Sequence, residues 1–329
     1  MSATFSQYIK IIGKGQKGSR SLTQCEAYEA MKMVLAGKVT GEQRGAFLML
    51  LRTREETPEE IAGFLQACRE LIGSDVTALG STLDVGCYAG KRRQLPWFLL
   101  SLACMARAGY KVFMHGAHEP GSGRMYASYV LPGLGLSEVN TVEQAHTQLQ
   151  HKNASYLDLS VVLKPLDDII KLREVFGLRS CANTLGRLLN PTQSDFSVQG
   201  VFHTGLDIKH ARVNELFSDY DSLCFRGDGG DPEVNRERDT RLHLTRNGVT
   251  EEVTFDAYDG DWALKERHMN VATMLAVWAG EQSHRYAEQS VVGTLTALLM
   301  LRESLDLSAA QQKASELWMQ RNKSALPFA

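Results

Sequence analysis

The sequence predicts an α/β protein, with a small helical domain in front of a larger domain that holds a mostly parallel sheet. Capped helical segments fill residues 22–73, a polar stretch follows at 74–81, and short apolar strands alternate with helices from Thr82 onward. Such alternation is typical of a parallel sheet covered by helices. We therefore predict a basic leader and helical domain over residues 1–80, completed by a few later helices, and an α/β domain over 81–329.

Composition narrows the class of protein. The chain has 329 residues, 43% hydrophobic and 22% charged, with a net charge of −2. These values are ordinary for a soluble globular protein, so any contact with nucleic acid must rest on local basic patches. Six scattered cysteines argue against a zinc site and a disulfide framework. With no signal-type run and no long apolar segment, we expect a cytoplasmic protein without a membrane span.

A basic leader occupies residues 1–22. Its cationic residues are Lys10, Lys14, Lys17 and Arg20. Three glycines lie among them, and no acidic residue occurs before Glu26. Because glycine disfavours a stable helix, we predict a flexible segment. It is either a solvated tail or a contact for a polyanion.

Three helices are predicted next. Capping boxes begin the first two at Thr23 and Thr40, and Thr57 precedes the third, which has a proline at its first helical position. An apolar stripe on the second helix consists of Ala46, Phe47, Leu50 and Leu51. We expect this stripe to expose more apolar surface than three helices can hide by themselves.

The α/β domain is predicted from strand and turn signals. Predicted strands lie at residues 83–85, 111–114, 156–163 and 222–225, with a hairpin of 242–244 and 252–255 around Asn247-Gly248. Predicted helices lie at residues 96–108, 126–131, 166–176 and over most of the last 60 residues.

A glycine turn after the first strand is the main candidate for binding phosphate. The residues concerned are Gly86, Gly90, Lys91, Arg92 and Arg93. Glycines let backbone N–H groups approach an anion, and the start of the next helix at Pro96 adds partial positive charge. The alternative is an ordinary solvated loop, since two glycines four residues apart match no full phosphate motif.

Four segments in order along the chain carry a family resemblance. They are residues 29–37, 45–52, 56–63 and 177–191, the last similar to the form GxRTxFNxLGPLxNP. Together they resemble the anthranilate phosphoribosyltransferases of glycosyl transferase family 3, over about residues 22–300. The resemblance implies a nucleoside phosphorylase/phosphoribosyltransferase-like fold and a homodimer formed through the helical domain.

The chain departs from this family in its catalytic motifs. The family's GTGGD loop falls on residues 86–90, where Tyr88 stands in place of a small residue. Its KHGN segment falls on residues 114–117, so that Met114 and Ala117 replace the lysine and the asparagine, and its RSVSS stretch falls on 118–122. The acidic DGLDE motif leaves Asp228, Asp231 and Glu233 as candidates for binding magnesium. His115, Gly116 and Arg179 are candidates for an acceptor pocket, Arg179 because it matches the residue that contacts anthranilate in the family.

The altered motifs resemble one subfamily in particular. Tyr88, Gly90 and Arg92, the basic leader and residues 112–116 are similar to the YbiB-like proteins, homologues that lack the transferase activity and bind nucleic acids. The resemblance implies a protein that binds DNA or RNA with little sequence preference and needs no cofactor. Phosphates would meet the cations of the leader and of the glycine turn.

The alternative is an active pentosyl transferase. It would use phosphoribosyl pyrophosphate and magnesium, with an acceptor that the sequence does not identify. Arg179 and the residual carboxylates Asp228, Asp231 and Glu233 support this hypothesis.

Overall fold

The computed structural model describes residues 2–15, 17–119, 122–258, 266 and 269–329. The helical region contains α1 (Ser2–Gly13), α2 (Gln24–Leu35), α3 (Gly41–Arg54), α4 (Pro58–Arg69) and α5 (Ser74–Thr77). Then come β1 (Leu83–Gly86), α6 (Phe98–Arg107), β2 (Val112–Gly116), α7 (Ala127–Val130), α8 (Val142–Lys152), β3 (Ala154–Asp158), α9 (Leu159–Val162), α10 (Lys164–Lys171), α11 (Arg173–Phe176) and α12 (Ala182–Leu188). The last elements are β4 (Phe196–Val201), α13 (Leu206–Glu215), β5 (Asp221–Arg226), β6 (Thr240–Arg246), β7 (Val249–Phe255), α14 (Val271–Ala279), α15 (Arg285–Glu303) and α16 (Leu307–Met319).

A seven-stranded sheet organises the larger domain. The strand order is β3-β2-β1-β4-β5-β6-β7, in which the first five strands are parallel and the last two antiparallel. The predicted fold class is therefore confirmed. Because β1 lies at the centre of the parallel part, the turn that follows it lies at the carboxyl edge of the sheet, where open α/β folds bind ligands.

The helical domain is built as its capping signals predict. Thr23, Thr40 and Thr57 each form a complete capping box at the start of α2, α3 and α4. Gly63 lets α2 and α4 approach closely, since a Cβ atom there would lie 2.2 Å from the Gln24 carbonyl oxygen. The apolar core of this domain also takes in side chains from α10 and α12, including Leu166.

The prediction of a flexible leader is wrong for α1. Phe5 and Ile12 are buried, Tyr8 and Ile9 pack against the same core, and the Phe5 ring meets Phe47 edge-on at 5.2 Å. This spacing gives one apolar stripe along a helix. The leader glycines fall at the end of α1 or after it, so they do not interrupt the helix. Helix α1 also covers much of the stripe on α3: Phe47 and Leu51 are buried within the single chain.

Strand β4 is absent from the predicted strands. Apolar residues alternate in it with Ser197 and Gln199. In the structure both polar side chains are buried, and Gln199 exchanges hydrogen bonds with Asn214 of α13. Tertiary partners therefore satisfy the buried polar groups of this strand.

Three further observations complete the fold. Residues 156–163, predicted as a strand, divide between the end of β3 and α9. All six cysteines are free thiols, and only Cys25 is exposed. No helix in the described part of the chain combines the length and the apolarity that a membrane crossing needs.

Candidate functional site

A buried tyrosine fills the glycine turn after β1. The Tyr88 hydroxyl lies 2.7 Å from His115 Nδ1, and His115 Nε2 lies 3.4 Å from Asp84 Oδ1, its hydrogen-bond partner. The carboxylate holds the histidine proton on Nε2, so that the tyrosine O–H donates to Nδ1. Burial raises the pKa of Tyr88 well above its usual value, and the hydroxyl stays protonated. Gly186 faces the tyrosine ring, which a Cβ atom there would approach to 3.0 Å.

This arrangement corrects two of the acceptor-pocket candidates. His115 is fully buried between Tyr88 and Asp84, where it serves the packing of the sheet. Gly116 has no room for a side chain, because a Cβ atom would lie 2.2 Å from the Cys87 carbonyl oxygen. Both residues support the turn from behind, and neither offers a group to a ligand.

Lys91 is also not the exposed cation that we predict from the sequence. Its side chain is only 1% exposed, and its Nζ lies 2.8 Å from Glu233 Oε1, 2.8 Å from Asp228 Oδ2 and 3.0 Å from the Asp228 carbonyl oxygen. Burial alone would lower the pKa of Lys91, but Glu233 and Asp228 outweigh it and raise that pKa. The ammonium therefore stays charged, and an external phosphate cannot reach it without opening these ion pairs.

The carboxylates around Lys91 are engaged on their remaining oxygens too. Glu233 Oε2 accepts the Phe98 N–H at 2.9 Å, and Asp228 Oδ1 accepts the Asn235 amide at 3.2 Å. Asp231 Oδ1 accepts the Ala89 N–H at 3.2 Å. Burial raises the pKa of Glu233 to about 7, although Lys91 pulls it in the opposite direction.

These contacts decide whether a magnesium ion fits the acidic motif. Mg²⁺ needs carboxylate oxygens that are free to coordinate it. Here an ammonium group already takes one oxygen of Asp228 and one of Glu233. No cluster of three or more His, Cys, Asp or Glu side chains suited to a metal occurs among the residues that the structure describes. The predicted metal candidates Asp228, Asp231 and Glu233 therefore do not fit a magnesium ion as the chain stands.

The other predicted cations differ in what surrounds them. Arg92 and Arg93 are exposed beside the turn. Arg20 is paired with Glu26 through two hydrogen bonds of 2.6 and 2.7 Å, so its charge is largely compensated. The leader also forms a shallow groove of about 350 Å³, and its lining includes Lys10, Lys14 and Arg20. Lys17 is exposed in the loop after α1.

Another group of positive charges forms what we call the arginine cleft. It consists of Arg92, Arg124, Arg173, Arg179 and Arg187. Burial and then the charges of Arg92 and Arg179 lower the pKa of Arg124, and burial followed by the charges of Arg179 and Arg92 lowers that of Arg173. Burial followed by the charge of Arg179 lowers the pKa of Arg187 to about 10. The charge of Arg179 thus acts on Arg124, Arg173 and Arg187, and that of Arg92 acts on Arg124 and Arg173, so an anion bound among these groups would relieve their repulsion.

Two of these arginines also donate to backbone carbonyl oxygens, Arg124 to the turn and Arg187 to β4. Arg124 Nη1 donates to the carbonyl oxygens of Ala89 and Gly90, each at 3.0 Å. Arg187 Nε donates to the Gly200 carbonyl oxygen at 3.1 Å. Glu119 lies against the cleft and pairs with both Arg173 and Arg179, the latter at 3.3 Å. Residues 120 and 121 of the segment that replaces the family's RSVSS stretch lie outside the described residues.

A cavity of about 500 Å³ lies next to the cleft, between the helical and α/β domains. Its lining comes from the end of α3, the chain around the start of α12 and the start of α13: Arg52, Glu55, Glu56, Ser180, Cys181, Thr184, His203, Thr204, Gly205, Leu206 and Lys209. Ser180 and Cys181 directly follow Arg179 in the chain. Sequence reasoning missed this cavity because it is assembled from three distant segments with no common motif.

Comparison with protein-family models matches both parts of the chain. Residues 6–72 match the helical bundle domain of a glycosyl transferase family, and residues 99–320 match its a/b domain. An anthranilate phosphoribosyltransferase of Desulfitobacterium hafniense is 30% identical over 251 residues, 76% of this chain and 73% of the relative. That of Oleidesulfovibrio alaskensis is 26% identical over 88% of this chain and 90% of the relative.

Solved structures of this kind of protein share the fold. The anthranilate phosphoribosyltransferase of Thermus thermophilus superposes with a TM-score of 0.79 and 23% identity, and that of Saccharomyces cerevisiae in complex with PRPP and Mg gives 0.74 and 16%. In both cases 97% of this chain and 94% of the other are covered, which at these identities establishes the fold. From the family models and the curated relatives together, the chain belongs to the glycosyl transferase family made of a helical bundle and an a/b domain, as a homologue of the anthranilate phosphoribosyltransferases.

Proposed function

We propose that this protein binds a ribose phosphate ligand in the arginine cleft and acts as a phosphoribosyl-type transferase. The observation that carries the proposal is the group of arginines at the carboxyl edge of the sheet, where Arg124 donates to the carbonyl oxygens of the turn and Arg173 and Arg179 share Glu119. Guanidinium groups match phosphate oxygens in pairs and stay charged when partly buried. The yeast homologue that is bound to PRPP and Mg supports the same class of ligand.

The neighbouring cavity supplies room for an acceptor. Its volume of about 500 Å³ falls within the usual range for small-molecule pockets. Ser180 and Cys181 line it and follow Arg179, so a sugar phosphate in the cleft and an acceptor in the cavity would lie side by side. In such a reaction the protein would work by positioning the two ligands and by neutralising the phosphate charge.

A second candidate function is the binding of nucleic acid, which the filled turn favours. Tyr88 occupies the position where the family's loop would admit pyrophosphate. Lys91 forms ion pairs with Asp228 and Glu233, the carboxylates of the acidic motif. Meanwhile Arg92, Arg93, Lys10, Lys14 and Lys17 are exposed. Exposed cations hold a phosphodiester backbone without reading its sequence. The family comparisons support the transferase more directly, since the relatives described above are named as phosphoribosyltransferases.

Two titrations on one preparation separate these functions. For phosphoribosyl pyrophosphate we expect saturable binding with a Kd between about 10 μM and 1 mM. Calorimetry in magnesium and in EDTA measures this affinity. For a labelled oligonucleotide we expect weaker binding at moderate salt, with a log–log slope of roughly −0.7 to −0.9 per phosphate contacted. Binding of the oligonucleotide alone would overturn the transferase and establish the second candidate.

Matched variants locate the contacts for nucleic acid. The doubly substituted Arg92→Ala/Arg93→Ala and the triply substituted Lys10→Ala/Lys14→Ala/Lys17→Ala proteins should each bind the oligonucleotide more weakly and with a flatter salt slope. Lys38→Ala and Arg212→Ala remove exposed cations elsewhere and serve as controls. Equal affinity in all five proteins would remove these patches from the interface.

The family resemblance also leads us to propose a homodimer. Helix α1 covers Phe47 and Leu51, so the remaining apolar surface of this face is smaller than we predict from the sequence. Partly exposed apolar side chains remain on α1 and α3, among them Ile11, Met49 and Leu50. A twofold contact would use this patch twice. Sedimentation at micromolar concentration should give twice the chain mass of 36.5 kDa, and Leu50→Glu should give the monomer; a wild-type monomer contradicts the proposal.

A further inference from the structure

The environment of Lys91 is that of a bound cation. Its Nζ lies within 3.0 Å of three oxygens: one carboxylate oxygen of Asp228, one of Glu233 and the Asp228 carbonyl. Carboxylates and carbonyls are the oxygen donors that hard cations take in proteins. Here the cation is covalently part of the chain.

The ammonium is fixed in this place from both ends. The Lys91 backbone N–H donates to the Met125 carbonyl oxygen at 2.8 Å and its carbonyl accepts the Met125 N–H at 2.8 Å, which anchors the main chain. At the other end, the Phe98 N–H orients Glu233, and the Asn235 amide orients Asp228. The Cδ atom of Lys91 runs close over Gly229, where a Cβ atom would lie 3.5 Å away. A side chain held at so many points does not vacate its position easily.

A divalent ion and the ammonium exclude each other. An ion coordinated by the same two carboxylates would lie within roughly 4 Å of Nζ, and like charges at that distance in a buried site repel strongly. The two carboxylates would also have to break their ion pairs with Lys91, which would then be a buried cation without a carboxylate partner.

We propose that Lys91 is a built-in cation that takes the place of a divalent metal, so that this protein binds its phosphate ligand independently of metal. The statement that a phosphate ligand binds in the arginine cleft rests on the proposed function. The arginine cleft then neutralises the phosphates of this ligand without a magnesium ion held by the protein. Lys91 acts through the carboxylates it holds and touches no ligand itself, so it is a positioning residue.

Electron paramagnetic resonance detects Mn²⁺ binding and so tests, without any phosphate ligand, whether Lys91 takes the place of a divalent ion. The wild type should bind Mn²⁺ at this position at least about tenfold more weakly than Lys91→Ala, in which the carboxylates are released. Lys91→Ala/Glu233→Gln should lose the gained site. Lys171→Ala is the matched control, because Lys171 pairs with the buried carboxylate of Asp167 away from this cluster.

The wild-type arm decides the matter even if Lys91→Ala does not fold. Mn²⁺ binding to the wild type that Glu233→Gln abolishes would overturn the proposal; Mn²⁺ binding that Glu233→Gln leaves unchanged, or none at all, supports it. Calorimetry with phosphoribosyl pyrophosphate adds the second readout, with equal affinity expected in EDTA and in magnesium. Failure of that ligand to bind in either buffer would sink the proposed transferase but not the manganese result, so the two failures are distinguishable.

Discussion

Replacing Lys91 with methionine lowers the free energy of unfolding by about 3–5 kcal/mol at pH 8, the usual cost of breaking a buried ion pair by removing one partner. The substitution keeps the length of the apolar stem and removes the ammonium group with its charge and its hydrogen bonds. It leaves Glu233, which is fully buried, without its cation. Asp228 suffers less, because its side chain is 23% exposed and can be hydrated.

The loss should depend on pH in a defined direction. Burial already raises the pKa of Glu233 from 4.5 to about 7, while Lys91 pulls it down. Removing Lys91 raises that pKa further. A carboxyl group whose pKa is higher in the folded than in the unfolded chain binds more protons when folded, so its contribution to stability falls as pH rises between the two values. The deficit of Lys91→Met should therefore grow as pH rises above about 7.

Urea unfolding at several pH values measures both effects. The double substitution Lys91→Met/Glu233→Leu is the control: it removes both buried charges and should recover most of the loss, because a buried ion pair is often no more stabilising than apolar residues of similar volume. A loss below about 1 kcal/mol at pH 8, the level typical of exposed pairs, contradicts the buried network.

The second large effect concerns the arginine cleft. Arg179→Ala should weaken binding of phosphoribosyl pyrophosphate in EDTA by about 10- to 100-fold, since a hydrogen bond to a charged group contributes roughly 1.5–3 kcal/mol. Stability should change little, because the Arg179 side chain is partly exposed and its described ion-pair partner is Glu119. Calorimetry measures the affinity, and Arg212→Ala, which removes an exposed arginine on α13, is the control. Equal losses in the two variants would mean that the effect is one of overall charge.

Local signals in the sequence predict local structure well. The capping boxes at Thr23 and Thr40 depend on residues three positions apart, and both form as expected. The hairpin at Asn247-Gly248 forms because both residues adopt positive φ, 50° and 75°, as this turn requires. The glycines of the leader are misleading because composition alone does not show that they all lie at the end of α1 or beyond it.

The candidate site depends on contacts that no local pattern contains. Lys91 pairs with carboxylates 137 and 142 residues away, so its burial cannot be read from the run of three cations in which it stands. The arginine cleft collects side chains that are scattered between Arg92 and Arg187. Of the predicted site residues, Arg92 and Arg179 belong to this cleft; Arg124, Arg173 and Arg187 were missed because nothing in their surroundings distinguishes them from other arginines.

Glu119 gives the most direct test that the arginine cleft holds phosphate. Its carboxylate pairs with Arg173 and Arg179 and so competes with an incoming anion. Calorimetric titration of Glu119→Gln with phosphoribosyl pyrophosphate in EDTA should show binding that is about 3- to 30-fold tighter than in the wild type, a gain that misfolding cannot produce. Unchanged or weaker binding in a folded Glu119→Gln protein would contradict the assignment of the phosphate site to these arginines.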